Sequence, residues 1–351
     1  MNIRNYVKQS VQNSPGYLPG EQLSGDYIKL NSNESPYPIP EIILKAVSEK
    51  LFGLLQFYPE PRSETLRTVA AKSYGLEPEN IIVANGSSEL LMLIYRTFVE
   101  EDEVVSMPSP GFTLNRKLVS ISGGTLKEVS WEEDHQLPTK ALLKSNAKII
   151  IVTNPNNPTG TFCPLSEIDA LAKAHKGLLV LDEAYVDFAA ENGLQLLKTN
   201  KNIIILRTFS KSYSAAGIRF GMAFADKEVI RHLMKVQNSY AISRQTELLA
   251  TAILNNRALF DPVIESIKQQ REITATELIK RGFVCAPSQA NFLFAKVPEG
   301  TKAIDWYNGL KKQQILVRYF DDEILQNFLR ITIGTPETMR KLVAGLDAIE
   351  V

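Results

Sequence analysis

Five short stretches of the chain carry residues whose types and spacing could do chemistry. In "RTFSKSYSAAGIRFG", residues 207–221, Lys211 sits between Ser210 and Ser212, and Arg219 follows eight residues after the lysine. In "LVLDEAY", residues 179–185, Asp182 ends an apolar run, where a carboxylate can be held partly buried, and Tyr185 lies three residues on. "NGSSE", residues 85–89, opens a helical pattern, so the backbone N–H groups at Ser87 and Ser88 could hold an anion with help from the two hydroxyls. "TNPNNPTG", residues 153–160, offers the amide of Asn157, and "MPSPGF", residues 107–112, offers the ring of Phe112. Each has a plainer reading. A serine or aspartate caps a helix, Asn-Pro-Gly stretches make turns, an aromatic fills core, and Lys211 and Arg219 can be solvated loop charges.

What joins the five is their place in the pattern of elements. Short β-branched runs alternate with helical ones: "NIIVANG" then "SELLMLIYRTF", "DEVVSM", "KIIIVTNP" then "LSEIDALAKAHK", "GLLVLDEAY", "NIIILRTFS" and "FGMAFA". Near-continuous apolar strands separated by amphipathic helices predict an α/β fold with a mainly parallel sheet covered on both faces. All five stretches then fall at the carboxyl ends of its strands, where open α/β sheets bind ligands. From about residue 244 the texture changes to a long helical stretch, about 244–281. After it come "GFVCAP", "NFLFAKV", "ILVRYF" and "FLRITIG", with helices around 302–313 and 336–350, which predicts a smaller α+β domain. The first thirty residues read as an arm laid over another surface. The expected division is an arm over 1–29, a large domain over 30–243 and a small domain over 244–351.

Composition narrows the function. A chain of 351 residues exceeds what one core usually supports. Its 39 basic and 39 acidic residues cancel, so no global field draws it to nucleic acid or an anionic membrane, and small-molecule chemistry is favoured. Cys163 and Cys285 lie far apart, which suits a reducing compartment rather than a disulfide framework. With His135, His175 and His232 equally scattered, no metal site is expected. No stretch approaches a membrane span. The expectation is a cytoplasmic enzyme.

The set Asn157, Asp182, Tyr185, Ser210, Lys211 and Arg219, in "NNPTG", "DEAY" and "SKSYSAAGIRFG", resembles the active site of the fold-type-I pyridoxal-phosphate aminotransferases. Within them, "YLPGEQ" at 17–22, "KLNSNESPYP" at 29–38, "YPEPRSETLR" at 58–67 and "FLRITIGTPE" at 328–337 are similar to histidinol-phosphate aminotransferases. Threonine-phosphate decarboxylases and some aromatic amino-acid aminotransferases are similar in the same places. The resemblance implies an aspartate-aminotransferase-like fold whose large domain holds a mainly parallel seven-stranded sheet. It also implies a homodimer with pyridoxal 5'-phosphate as cofactor. Lys211 would form a Schiff base with the cofactor aldehyde and, after exchange with the substrate amine, its freed ε-amine would move the proton from Cα to the cofactor's C4′. Asp182 would pair with the pyridine nitrogen, Tyr185 and Asn157 would hydrogen-bond the phenolic oxygen, and Phe112 would stack on the ring. Arg219, Ser210, Thr208, Ser87 and Ser88 would hold the phosphate, joined by Tyr58 from the other chain. Arg330, Arg318 and Tyr17 would meet the substrate, Asn157 lying beside them. The implied reaction, in histidine biosynthesis, converts L-histidinol phosphate and 2-oxoglutarate to 3-(imidazol-4-yl)-2-oxopropyl phosphate and L-glutamate. A pyridoxal-phosphate lyase acting on a phosphorylated amino acid is the alternative, as is an aromatic aminotransferase. A non-catalytic ligand-binding module on the same fold is a third reading.

Overall fold

A computed structural model describes residues 2–12, 20–51 and 53–350. In chain order the strands are β1 (Ile28–Leu30), β2 (Ile81–Ala84), β3 (Val104–Ser109), β4 (Thr125–Ser130), β5 (Ile149–Thr153), β6 (Leu178–Asp182), β7 (Ile203–Thr208), β8 (Gly221–Ala225), β9 (Val284–Cys285), β10 (Phe292–Lys296), β11 (Ile315–Tyr319) and β12 (Phe328–Thr332). Among the described residues they form two sheets, one of seven strands in the order β2-β8-β7-β6-β5-β3-β4 and one of five in the order β1-β11-β12-β10-β9.

The apolar runs are continuous because the large sheet is covered on both faces. Along β7, Ile204 and Leu206 pack into one core with Ile149, Ile151 and Val180. Their neighbours Ile203 and Ile205 point the other way, into a second core with Ile150, Val152, Leu179 and Leu181. Side chains that alternate faces and are buried on both require an apolar residue at every position. Each such residue contributes roughly 1.5–3 kcal/mol of burial. The edge strand β4 obeys a different rule. Only Leu126 and Val129 of "TLKEVS" are half-buried, so this seventh strand lacks the continuous run that marks the other six.

Strand direction gathers the loops. β3, β4, β5, β6 and β7 pair in parallel, whereas β8 runs antiparallel to both β2 and β7. Gly221, the first residue of β8, therefore stands level with Ala84 on one side and Thr208 on the other. The register alone puts "NGSS", "TFS" and Arg219 at one place. In the same way Thr153 pairs with Asp182 across β5 and β6.

Two expectations are modified. The predicted helical stretch over 244–281 divides into Arg244–Asn255, a 3₁₀ turn Arg257–Phe260 and Asp261–Lys280. Pro262, in the first turn of the last helix, has no backbone N–H to continue the preceding ladder. The predicted arm, in turn, ends inside the small sheet, because Ile28, Lys29 and Leu30 pair in parallel with Ile315, Leu316 and Val317. Lys311 Nζ donates to the Glu21 carboxylate at 2.6 Å, fastening the preceding residues to the same unit.

Candidate active site

A cavity of about 250 Å³ opens where the carboxyl ends of the large-sheet strands face the small sheet. Of the residues singled out in the sequence, Ser87, Ser88, Phe112, Asn157, Asp182, Tyr185, Thr208, Ser210, Lys211, Arg219, Arg318 and Arg330 all line it. Tyr17 lies outside the described residues. Tyr58 lies outside the cavity, 77 % exposed and stacked on Tyr240 with ring centroids 4.7 Å apart.

At one end is an anion cradle. The helix Ser87–Phe98 starts at Gly86, whose φ of 81° suits glycine, and its first N–H groups are those of Ser87 and Ser88. Serine is thus not the cap here, as the plainer reading had it. Opposite, Thr208 Oγ1 donates to Ser210 Oγ at 2.9 Å, and Arg219 Nη1 reaches the same Ser210 oxygen at 3.3 Å. The backbones touch: a Cβ on Gly221 would lie 2.5 Å from Ser87 N, and one on Gly86 would lie 2.7 Å from Arg219 Nη2. Only glycine at these two positions lets two hydroxyls, a helix start and a guanidinium surround one small anion.

In the middle stand two ionisable groups held away from their ordinary states. Asp182, 2 % exposed, accepts a hydrogen bond from Ala184 N at 3.1 Å. Burial raises its pKa to about 7, aided by the neighbouring Glu183 and opposed by Lys211. Lys211 Nζ donates to Ser32 O at 3.0 Å and lies 5.7 Å from the centre of the Tyr185 ring. Burial, then the positive charges of Arg330 and Arg219, bring its pKa down to about 7, although Glu34 opposes them. A nucleophilic amine and a carboxylate that both change charge near neutral pH are the pattern of a catalytic centre.

At the far end two arginines come from the small sheet. Arg318 and Arg330 are directly paired across β11 and β12. Arg330 Nη1 donates to Asn157 Oδ1 at 2.6 Å and its Nη2 to Asn31 O at 2.9 Å. The aromatic ring of Phe320 lies 5.2 Å from the Arg318 guanidinium carbon and 5.7 Å from that of Arg330. The arrangement can bind one small anion at each end and place an amine between them.

Residues 25–346 match the family model described as aminotransferase class I and II. The chain belongs to that family. This aminotransferase is 42 % identical over 337 residues to histidinol-phosphate aminotransferase 3 of Mesorhizobium japonicum, a match that covers 95 % of this chain and 91 % of the relative. It is 37 % identical to the histidinol-phosphate aminotransferase of Microcystis aeruginosa, with 98 % of each chain covered. Among solved structures it resembles the histidinol-phosphate aminotransferase of Sinorhizobium meliloti in complex with pyridoxal-5'-phosphate. There the TM-score is 0.89 at 26 % identity, over 98 % of this chain and 97 % of that one.

Sequence reasoning assigned no role to three residues of the aminotransferase's site, Asn31, Ser32 and Asn33, all of which line the cavity. Asn31 and Ser32 give backbone carbonyls to Arg330 and Lys211. Asn33, fully buried, donates from Nδ2 to the Tyr185 hydroxyl at 3.0 Å. For Asn33 a signal existed in "NSNE", four polar residues directly after the strand Ile28–Leu30. Asn33 also has φ of 55°, a conformation that asparagine tolerates better than most residues.

Proposed function

We propose that this chain is a pyridoxal 5'-phosphate enzyme that transfers the amino group of L-histidinol phosphate to 2-oxoglutarate. The observation that carries the reading is the convergence in one cavity of Lys211, Asp182, the Gly86–Ser88 cradle and the Arg318–Arg330 pair. The names of the full-length relatives support the choice of substrate.

The donor set suits the cofactor. Thr208, Ser210, Arg219 and the helix start at Ser87 and Ser88 would hold its phosphate, and charge-assisted hydrogen bonds of this kind are among the strongest available. Asp182 would meet the pyridine nitrogen, and Phe112 would cover one ring face. A positive partner for the Asp182 carboxylate would offset the burial that now raises its pKa. Tyr185 and Asn157 would flank the phenolic oxygen. When bound, pyridoxal phosphate supplies an electrophilic carbon and a ring that accepts the electron pair left on the substrate. Lys211 Nζ, its pKa brought near neutral by burial and by Arg330, would hold that carbon until the substrate amine displaces it, and the freed amine would then take the proton from the substrate's Cα. Arg330 and Arg318 orient the substrate by its anion, a phosphate in one half-reaction and a carboxylate in the other. Both anions match the forked donors of a guanidinium.

The further reading is a cytoplasmic homodimer in which Tyr58 reaches the partner's cofactor phosphate. We read 30–243 as the large domain and 244–351 as the small one, with β1 lending the small sheet its first strand. Borohydride reduction of the holoenzyme followed by peptide mapping tests the cofactor assignment. Label on Lys211 is expected, and label on another lysine, or none, would refute it.

A further inference from the structure

Asn33 makes more contacts than a structural turn requires. Its backbone N–H donates to Thr332 Oγ1 at 3.0 Å, and the Thr332 hydroxyl donates to Asn33 Oδ1 at 3.0 Å. Its backbone carbonyl accepts from Asn291 Nδ2 at 3.1 Å. All three residues are at most 2 % exposed, so each of these bonds matters in a setting without bulk water.

The exchange with Thr332 fixes the direction of the amide. A hydroxyl has one proton, and the Thr332 oxygen already receives the Asn33 backbone N–H, so its proton is given to Oδ1. Turning the amide over would place a second N–H donor against the Thr332 oxygen and deprive the Thr332 proton of its acceptor, a costly outcome for a buried group. With the amide fixed, Nδ2 faces the Tyr185 hydroxyl as a donor. The phenol oxygen must accept there, so its own proton is directed elsewhere. Tyr185 lines the cavity.

We propose that Asn33, oriented by Thr332, is a positioning residue that aims the Tyr185 hydroxyl proton into the cavity. It acts through Tyr185, and this inference rests on the cofactor site proposed above. There the aimed proton would be donated to the phenolic oxygen of the bound cofactor, and the bond received from Asn33 would strengthen the phenol as a donor. Thr332 lies on β12 two residues after Arg330, so the strand that carries the substrate's anion partner also governs the hydrogen-bond direction of Tyr185.

The test is a pH titration of the visible absorbance of the holoenzyme, which reads the protonation of the Lys211-bound chromophore and not its turnover. Asn33→Ala and Thr332→Val should each move the midpoint up by about one pH unit, the size of one lost hydrogen bond to an ionising group. Asn33→Asp, which can accept from Tyr185 but not donate to it when ionised, should move it in the same direction. Thr332→Ser keeps the hydroxyl and should retain the wild-type midpoint. In a Tyr185→Phe background Asn33→Ala should add nothing further. Thr332→Val nearly preserves shape, so the Val and Ser pair decides the matter if Asn33→Ala does not fold. A wild-type midpoint in Thr332→Val, or an Asn33→Ala shift that persists undiminished beside Tyr185→Phe, would overturn the proposal. A wild-type protein with no visible band after incubation with pyridoxal phosphate would instead refute the cofactor site itself.

Discussion

Lys211 and Asp182 are held in opposite directions by one cause. Burial penalises whichever form is charged, so the carboxyl is pushed up from 3.8 to about 7 and the amine is brought down from 10.5 to about 7. The consequence for the cofactor-free protein has a definite sign. Between about pH 4 and 7 the folded state binds a proton at Asp182 that the unfolded chain does not, so this group's contribution to stability falls as pH rises. Between about 7 and 10 the unfolded chain holds a proton that folded Lys211 has released, so that contribution rises with pH. Asp182→Asn should therefore flatten the acidic limb of the apoprotein's melting temperature against pH while leaving the alkaline limb. A variant that keeps the wild-type acidic limb would place the titration elsewhere. In the holoenzyme the same change would remove the charge that we propose lies opposite the ring nitrogen, while keeping shape. The loss in kcat should be on the order of 100-fold, as for one preorganised electrostatic stabiliser. Near-normal turnover would reduce Asp182 to the maker of a turn through Ala184.

At the scale of elements, the anion cradle depends on how closely β8 approaches the start of the helix Ser87–Phe98. Gly221→Ala would drive a Cβ to 2.5 Å from the Gly86 carbonyl carbon and Ser87 N, both backbone atoms that cannot swing aside. The helix start must shift, at a cost of about 1–3 kcal/mol in stability. The affinity for pyridoxal phosphate, measured by equilibrium dialysis, should drop, whereas Gly217→Ala, which has open space around it, should leave it unchanged. Equal affinities would mean that the cradle does not hold the phosphate. Legibility in the sequence followed the same physics. Strands buried on both faces, such as "NIIIL" and "LLVLD", announced themselves, and so did the chemistry at their ends. The edge strand β4 did not, because four of its six residues are exposed, on both faces, and break the apolar run. The division after Asn255 was also hidden, since helical texture persists through a 3₁₀ segment of only four residues. The roles of Asn31 and Ser32 were invisible for another reason: both work through backbone carbonyls, which side-chain type does not reveal.

For the whole molecule, the segment around Tyr58 is one place among the described residues where large apolar side chains stay exposed. Leu55, Phe57, Tyr58 and Tyr240 are all exposed, a concentration of apolar surface that marks an interaction site. We expect the protein to sediment as a dimer and Tyr58 to serve the partner's site. Lys211→Ala and Tyr58→Ala proteins, each impaired alone, should regain about a quarter of wild-type activity when unfolded and refolded together, because each mixed two-fold dimer has one site free of both defects. Activity no higher than the mean of the two parents would mean that Tyr58 acts within its own chain. The most direct measurement of the proposed reaction isolates one half of it. In the absence of any keto acid, holoenzyme is mixed with L-histidinol phosphate and the visible absorbance is followed, and in a parallel sample it is mixed with threonine phosphate and released carbon dioxide is followed. Transamination predicts complete conversion of the bound cofactor to its pyridoxamine form, no carbon dioxide, and restoration of the original spectrum on adding 2-oxoglutarate. An unchanged spectrum with histidinol phosphate, together with carbon dioxide released from threonine phosphate, would contradict it.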